Sequence, residues 1–228
     1  MSNSLIAVLG PNPEELMDFI EQLEQPITEE QIGLTVHRGR YADKDIVAVI
    51  TGICKVNPAI VTQMLIDRYD ISQVIVCGVA GAIADYDIGD TIVSTEVCHH
   101  DVVPRFLQEG YPFMDSEDSC FAADPDMIAT MKQAAVNFPH KVEFGRIASG
   151  EYFVDRAGRQ QIIEQFDPLA VDMETAGVAH ACYVNRKPFL AIRTITDNEK
   201  QSGIDVFREN FETARIRAME LLRRYLEV

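Results

Sequence analysis

Three acidic residues, Glu15, Glu174 and Asp197, follow predicted strands or turns and could do acid–base chemistry. The last two lie at opposite ends of a strand-helix-strand pattern, in which Leu169–Val171 and Pro188–Ile195 are the predicted strands. If these strands are parallel, a right-handed crossover brings both acids to the same edge of the sheet. Strand ends at such an edge commonly form the site of an α/β enzyme.

Carboxyl groups that converge on a cleft suit cleavage of a glycosidic bond, in which one acid protonates the leaving group and another activates water. Asp197 follows the apolar run FLAIRTIT, and burial there would raise the pKa of its carboxyl group toward values useful for proton donation. A structural role is the alternative, because acids after strands often cap helices. That alternative fits Asp172 better than Glu174, and Glu15 also suits the first turn of a helix.

Two further motifs carry weaker signals. Gly78–Gly81, with the sequence GVAG, could cradle a phosphate, but it lacks the dinucleotide fingerprint and the Lys-Ser/Thr of a P-loop. Its glycines are equally explained by a turn and close packing at a strand end. His99, His100 and Asp101 could supply metal ligands, yet adjacent histidines on an extended chain point in opposite directions and no third ligand has suitable spacing. No metal site is therefore predicted.

The hydrophobic pattern predicts a single α/β domain over residues 1–228, with a central mixed, twisted sheet flanked by helices. Further strands are predicted at Leu5–Leu9, Val36–Tyr41, Ile46–Thr51, Val74–Cys77, Thr91–Ser94 and Lys141–Ala148. Helices are predicted at Glu14–Leu23, Pro58–Arg68, Asp124–Ala135, Met173–Cys182 and Glu209–Leu226. The region from His99 to Cys120 is predicted to be irregular, as a lid or an oligomer contact.

Composition and charge exclude several classes of protein. The formal charge of −16, from 36 acidic and 20 basic residues, would repel nucleic acids and anionic membranes. Five widely spaced cysteines without a CxxC pair argue against a disulfide framework and a zinc motif. The N-terminal apolar run lacks a basic flank and ends at Gly10-Pro11, which predicts a strand rather than a signal peptide. With no transmembrane segment predicted, we expect a cytoplasmic protein.

Six segments together resemble a known family, the 5′-methylthioadenosine/S-adenosylhomocysteine nucleosidases of the nucleoside phosphorylase superfamily. They are IAVLGPNPEE, TGICKV, GVAGAI, SGEYFV, AVDMETAGVAH and RTITD, in the family's order and over nearly the whole chain. The Met-Glu pair after a strand, with a downstream strand ending in Asp, is specific for the superfamily, whereas each glycine motif alone is not. The resemblance implies a nucleoside phosphorylase-like fold, a homodimer, and hydrolysis of 5′-thio-substituted adenosines without a metal or cofactor.

The resemblance also implies roles for ten residues. Asp197 would donate a proton to N7 of adenine, Glu15 would activate water, and Arg193 would orient that water. The implied substrate contacts are ribose binding by Met173 and Glu174, adenine binding by Phe153 and Val154, and pocket walls from Ile53, Val79 and Phe207. The irregular segment Asp101–Phe113 would extend over a neighbouring subunit's 5′ pocket.

The expected nucleophile is water. Phosphorylases of this superfamily bind phosphate with an Arg in the first Gly loop and with an Arg and a Ser around the central glycine motif. This chain has GPNPEE in the first loop and Val76 and Val79 at the central positions. A phosphate dianion among Glu15, Glu174 and these valines would be costly.

Five positions depart from the usual nucleosidase pattern: Val79 replaces a Ser that orients the catalytic Asp, Asn12-Pro13 replaces Met-Glu, Cys54 replaces Gly, and Asp172 replaces Glu. They leave open a different nucleoside preference or slow turnover. Two alternative functions remain open. One is a phosphate-dependent purine nucleoside phosphorylase with the same fold, and the other is a nucleoside-binding sensor with little catalysis. The sequence does not determine the 5′ substituent or the base.

Overall fold

The computed structural model describes residues 4–110, 120–154 and 156–228. The strands are β1 (Leu5–Gly10), β2 (Glu24–Gln31), β3 (Leu34–Tyr41), β4 (Lys44–Ile50), β5 (Ile71–Ala82), β6 (Thr91–His99), β7 (Cys120–Ala122), β8 (Val142–Ser149), β9 (Ala170–Asp172) and β10 (Phe189–Asp197). The helices are α1 (Pro13–Ile20), α2 (Val56–Arg68), α3 (Pro104–Gly110), α4 (Pro125–Ala134), α5 (Arg156–Phe166), α6 (Thr175–Val184) and α7 (Ile204–Glu227).

These strands form one mixed sheet in the order β10-β6-β8-β9-β5-β1-β4-β3-β2, with β7 paired to β6. Because β10 also pairs with β5, the strands β5, β10, β6, β8 and β9 form a closed ring. The strands β1, β4, β3 and β2 continue outward from β5. The result is the single α/β domain with a mixed sheet and flanking helices that the sequence predicts.

Two long strands, β5 and β10, form the centre of the molecule. Their apolar sequences, ISQVIVCGVAGA and FLAIRTITD, are almost completely buried. They run parallel to each other, and α7 packs against both. Strands covered on both faces read as continuous apolar runs instead of alternating, which is the pattern seen in both segments.

Most predicted elements are present, but several boundaries differ. β5 continues to Ala82, so Gly78–Gly81 lies within a strand and does not form a turn after it. The reason is that β10 pairs with β5 as far as Gly81. The sequence pattern did not predict β2, β7 or α5, and α3 occupies part of the region predicted to be irregular. Residues 111–119 of that region lie outside the described chain.

The supposition that the strands before and after α6 are parallel is wrong. β9 pairs antiparallel with β5 while β10 pairs parallel with it, so β9 and β10 run in opposite directions. Their acids still approach each other because both strands meet β5 at the same residue. Gly81 is in register with Val171 on one side and with Asp197 on the other.

The cysteine spacing also misled the sequence analysis, because Cys98 and Cys120 form a disulfide. The antiparallel pairing of β6 and β7 sets these residues directly opposite each other. A separation of 22 residues in the sequence gives no sign of that register. Among the described residues, the free cysteines are Cys54, Cys77 and Cys182, and no helix is long and apolar enough to span a membrane.

Candidate active site

A cavity of about 360 Å³ opens where the ends of β5, β9 and β10 meet the start of α1 and α6. Most of its wall is apolar, and four buried acidic residues line it: Glu15, Asp172, Glu174 and Asp197. Nine of the ten residues that the sequence analysis selected line this cavity: Glu15, Ile53, Val79, Phe153, Val154, Met173, Glu174, Asp197 and Phe207. The tenth, Arg193, is completely buried and lies behind the cavity wall.

Glu15 is held rigidly at the beginning of α1. Pro13 starts this helix, and the Glu15 carboxylate accepts hydrogen bonds from the backbone N–H of Asn12 at 3.1 Å and from its side-chain amide at 2.9 Å. The backbone N–H of Val79 donates to the other carboxylate oxygen at 2.9 Å. Burial raises the pKa of Glu15 above its ordinary value, although the charge of Arg193 and these hydrogen bonds oppose the rise.

Arg193 connects the acidic groups from within β10. Its Nε lies 2.8 Å from an oxygen of Asp172, its Nη2 lies 3.5 Å from an oxygen of Glu174, and its Nη1 donates to the carbonyl of Val79 at 3.3 Å. Burial alone would lower the pKa of Arg193, but the carboxylates of Asp172, Glu174 and Glu15 raise it. The guanidinium is therefore a permanent cation that balances part of the negative charge.

Glu174 lies between β9 and α6, directly before the first residue of the helix. One of its oxygens accepts a hydrogen bond from the backbone N–H of Cys54 at 3.1 Å, and the other faces Arg193. Burial raises the pKa of Glu174; Arg193 opposes this effect, and the carboxylates of Asp172 and Glu15 add to it. Glu174 is 6% exposed and lines the cavity.

Asp172 is the most important residue that the sequence analysis did not select. Its carboxylate accepts from the backbone N–H groups of Glu174 and Thr175, at 3.3 and 3.2 Å, as the capping interpretation predicts. It also accepts from the hydroxyls of Ser149 and Thr175 and pairs with Arg193. The Thr175 hydroxyl in turn accepts from Arg193 at 3.0 and 2.9 Å. Its place between a strand and the Met-Glu pair was the available signal for this role.

Asp197 is the last residue of β10 and is 2% exposed. The hydroxyl of Thr196 lies 2.9 Å from its Oδ1, and the backbone of Gly81 packs against the carboxyl group. Burial raises the pKa of Asp197, while the hydrogen bond from Thr196 and the charge of Arg159 lower it. The net effect is a higher pKa, in the direction that the sequence analysis predicts.

Aromatic and aliphatic side chains form the rest of the cavity. The rings of Phe153 and Phe207 meet edge to face, with 6.3 Å between their centroids. Ile53 is 51% exposed at the rim, whereas Val154 is buried. Walls of this kind suit a flat aromatic base and an apolar substituent. The sequence analysis missed further lining residues: Pro11, Asn12, Ala80, Gly81, Tyr152, Val171, Asp172 and Ile204.

The cavity lining is electrostatically acidic. None of the described residues that line it is Lys or Arg, and the nearby Arg193 is already engaged by Asp172 and Glu174. Val76 is buried in the core, and Val79 presents no hydroxyl. A dianionic ligand therefore has no evident cationic partner, whereas a neutral nucleoside and a water molecule fit these surroundings.

The described residues contain no cluster of three His, Cys, Asp or Glu side chains that could hold a metal ion. His99 faces His180, with 3.4 Å between Nε2 and Nδ1, and its ring packs edge to face against Phe121. The ring of His100 packs edge to face on Tyr152. The two adjacent histidines thus point to different neighbours, as expected for an extended chain.

Comparison with known proteins agrees with this geometry. The profile of the phosphorylase superfamily matches residues 5–227. A 5′-methylthioadenosine/S-adenosylhomocysteine nucleosidase from Bacillus pumilus is 32% identical over 226 residues, which cover 97% of this chain and 98% of the relative.

Two solved nucleosidases are similar in structure. The enzyme from Neisseria meningitidis, in complex with methylthio-immucillin-A, has a TM-score of 0.89 at 30% identity and covers 98% of this chain and 99% of its own. The enzyme from Colwellia psychrerythraea, in complex with adenine, has a TM-score of 0.88 at 29% identity. The match covers 99% of this chain and 95% of the Colwellia chain. The chain belongs to the phosphorylase superfamily and, within it, to the 5′-methylthioadenosine/S-adenosylhomocysteine nucleosidase family.

Proposed function

We propose that this protein hydrolyses the N-glycosidic bond of 5′-thio-substituted adenosines, 5′-methylthioadenosine and S-adenosylhomocysteine, to adenine and the corresponding thioribose. The observation that carries the proposal is a mainly apolar cavity in which Glu15 and Asp197 are both buried and both have a raised pKa. The names of the relatives support the substrate, and the ligands of two solved relatives, methylthio-immucillin-A and adenine, support the reaction.

Asp197 is the proposed proton donor. Adenine is a poor leaving group as an anion, and a proton delivered to N7 allows it to leave as a neutral base. Burial raises the pKa of Asp197, which favours the protonated form that a proton donor needs. Phe153 and Phe207 are proposed to pack against the base, and Val154 to bind its edge.

Glu15 is the proposed base for water. As the bond between C1′ and the base breaks, positive charge develops on the ribose, and a water oxygen attacks C1′ while Glu15 accepts its proton. The contacts of Glu15 with Asn12 and Val79 fix its position. Because Arg193 lies outside the cavity lining, we propose that it orients this water through its effect on the neighbouring acids.

Glu174 and Met173 are proposed to hold the ribose. A carboxylate can accept hydrogen bonds from both ribose hydroxyls and stabilise positive charge that develops on the ring. Arg193 favours the ionised form of Glu174 but only partly offsets burial, which leaves the pKa of this carboxyl group raised to about 8. Ile53 and Phe207 provide apolar surface that would suit a thioalkyl substituent.

We also propose that the protein is a cytoplasmic homodimer that acts in methionine salvage. The support for a dimer is exposed apolar surface: Ile53, which lines the cavity, and Val56, Val103 and Phe106 are each more than half exposed. The two other aromatic residues predicted to reach a neighbouring subunit, Tyr111 and Phe113, lie outside the described residues. Sedimentation of the purified protein would measure the oligomeric state directly.

Product analysis with four nucleosides tests the proposed substrate class. We expect adenine and a free thioribose from 5′-methylthioadenosine and S-adenosylhomocysteine, slower release from adenosine, and the slowest from inosine. The rank order measures what the apolar 5′ end of the cavity contributes to catalysis. Binding of all four nucleosides without release of any base would instead favour a sensor, and formation of ribose 1-phosphate would favour a phosphorylase.

A further inference from the structure

Arg159 is a buried cation for which the proposed catalytic roles give no reason. It lies in α5, is 5% exposed, and donates from Nη2 to the carbonyl oxygens of Ala82 and Ile83, the second at 3.3 Å. Removing a guanidinium from water is costly unless the protein supplies partners. Arg159 does not line the cavity, so direct contact with a substrate does not explain its position.

The strand end that Arg159 holds is the one that packs against Asp197. Ala82 is the last residue of β5, and Gly81 precedes it. A Cβ atom on Gly81 would lie 3.3 Å from one Asp197 carboxyl oxygen and 3.5 Å from the other. The carboxyl group therefore rests on the backbone one residue away from the carbonyl that Arg159 binds.

We propose that Arg159 is a positioning residue for the proton donor Asp197: it anchors the end of β5 against which this carboxyl group packs, and its positive charge acts on the same group. The inference rests on the proposed function, in which Asp197 protonates adenine. The proposal gives α5 a role in the site. This helix comes shortly after the cavity-wall residues Phe153 and Val154, and it supplies the residue that positions Asp197.

The charge of Arg159 and the hydrogen bond from Thr196 both oppose the rise in the pKa of Asp197 that burial causes. A carboxyl group that is too weak an acid would keep its proton but transfer it slowly, and a nearby cation stabilises the carboxylate that transfer produces. Other ionisable groups around the site are the carboxyl groups of Glu15, Asp172 and Glu174 on the cavity wall.

Outside the cavity, Lys200 and Asp85 form an exposed ion pair on the surface loops next to β10 and β5. Water screens such a pair strongly, so its charges should have little influence on the buried acid. The pH dependence of catalysis is therefore a suitable probe of Arg159.

Three variants separate the charge of Arg159 from its hydrogen bonds. Arg159→Lys keeps the charge, Arg159→Gln keeps a hydrogen-bond donor without the charge, and Arg159→Met removes both. We would measure kcat/KM for 5′-methylthioadenosine from pH 5 to 10, with circular dichroism and thermal unfolding as checks of folding. Should Arg159→Met fail to fold, the comparison of Gln with Lys still isolates the charge.

Activity requires protonated Asp197, so the alkaline limb of the profile reports its pKa. Loss of the cation raises this pKa, and we expect Arg159→Gln and Arg159→Met to move the alkaline limb upward by about one pH unit. Because the acid is then weaker, the plateau should fall about tenfold. The acidic limb, which reports the carboxylates that must be ionised, Glu15 and Glu174, should stay in place, and Arg159→Lys should keep the wild-type alkaline limb.

A purely structural role for Arg159 would lower activity equally at all pH values and leave both limbs in place, and that result would overturn the inference. An equal shift in Arg159→Lys and Arg159→Gln would also overturn it, because charge would then be irrelevant. Absence of adenine release by the wild-type protein would refute the proposed function itself, and it would be seen before any variant is compared.

Discussion

At the scale of single residues, the carboxyl groups of the cavity have different surroundings, and the proposed roles of Glu15 and Asp197 follow from that difference. Glu15 accepts hydrogen bonds from Asn12 and from the Val79 backbone and feels the charge of Arg193, all of which favour its ionised form. The described contacts of Asp197 are fewer, a Thr196 hydroxyl and the packed backbone of Gly81. These surroundings suit a base at Glu15 and an acid at Asp197.

Replacement of Asp197 by Asn tests the acid role most simply. The amide keeps the shape of the side chain but has no acidic proton to deliver, so we expect kcat to fall by about 100- to 10,000-fold while substrate affinity changes little. Steady-state kinetics and equilibrium binding would separate the two quantities. Asp43→Asn, at a fully exposed side chain in the turn before β4, is the matched control and should leave both unchanged.

The pH dependence of catalysis follows from the same pair. In the proposed mechanism Glu15 must be deprotonated, so activity should be lost as the pH falls through its raised pKa. Asp197 must be protonated, so activity should be lost as the pH rises through its raised pKa. We therefore expect a bell-shaped profile of kcat/KM with its acidic limb above the ordinary pKa of a glutamate. A rate that rises steadily through alkaline pH would contradict the assignment of Asp197.

At the scale of elements, β5 organises the site through its backbone. Val79 binds Glu15 through its N–H and Arg193 through its carbonyl, and Gly81 supports Asp197. The apolar sequence of the strand made its burial predictable. Its extension through the glycines was not predictable, because it depends on pairing with β10 and not on local preferences.

Gly78 is the most sensitive position of this strand. An added Cβ atom would collide with the Glu15 carboxylate and would lie 2.8 Å from Nη1 of Arg193. We expect Gly78→Ala to lower the free energy of unfolding by about 1–3 kcal/mol and to reduce kcat strongly, because both buried side chains must move. Urea unfolding and kinetics would measure the two effects.

The matched control is Gly158→Ala, in helix α5. Its Cβ atom would meet only Val154, at an ordinary contact distance of 3.8 Å. Alanine is also the better helix former, so stability should stay the same or rise by up to about 1 kcal/mol. Equal effects of the two substitutions would show that crowding between Glu15 and Arg193 is not the cause.

The network behind Glu174 forms a second unit at this scale. Asp172→Asn would leave the fully buried Arg193 with a weaker set of partners, and breaking a buried ion pair costs about 3–5 kcal/mol. We expect a large loss of stability in urea unfolding, together with reduced activity. Asp45→Asn, which loosens only a partly exposed contact with Arg40 at 3.8 Å, should change stability by well under about 1 kcal/mol.

At the scale of the whole molecule, the order of motifs predicted the family and nine of the 17 residues that line the cavity, because those nine lie mainly at strand ends and helix starts. Long-range pairing was harder to predict. The strand β2 was missed because its sequence, EQPITEEQ, is acidic and exposed. The contact of Arg159 was missed because no local pattern connects α5 to the end of β5. Cys98 and Cys120 meet only through the register of β6 with β7.

The disulfide offers a test of this whole-chain register. Closing a loop between residues 22 apart should stabilise the oxidised protein by about 3 kcal/mol relative to the reduced protein. We expect dithiothreitol to lower the midpoint of urea unfolding of the purified, oxidised wild type. The midpoint of the Cys98→Ser variant, which cannot form this disulfide, should not change. A cytoplasmic environment would keep these thiols reduced, so the comparison applies to the oxidised protein. No response of the oxidised wild type to reductant would contradict the pairing.

The most direct test of the central proposal is the rate of adenine release from 5′-methylthioadenosine in buffer free of phosphate. With Glu15 and Asp197 as the proposed base and acid in a cavity lined by no described Lys or Arg, we expect many turnovers and no acceleration when phosphate is added. Release that depends on added phosphate, or no release at all from a substrate that binds, would contradict hydrolysis by water.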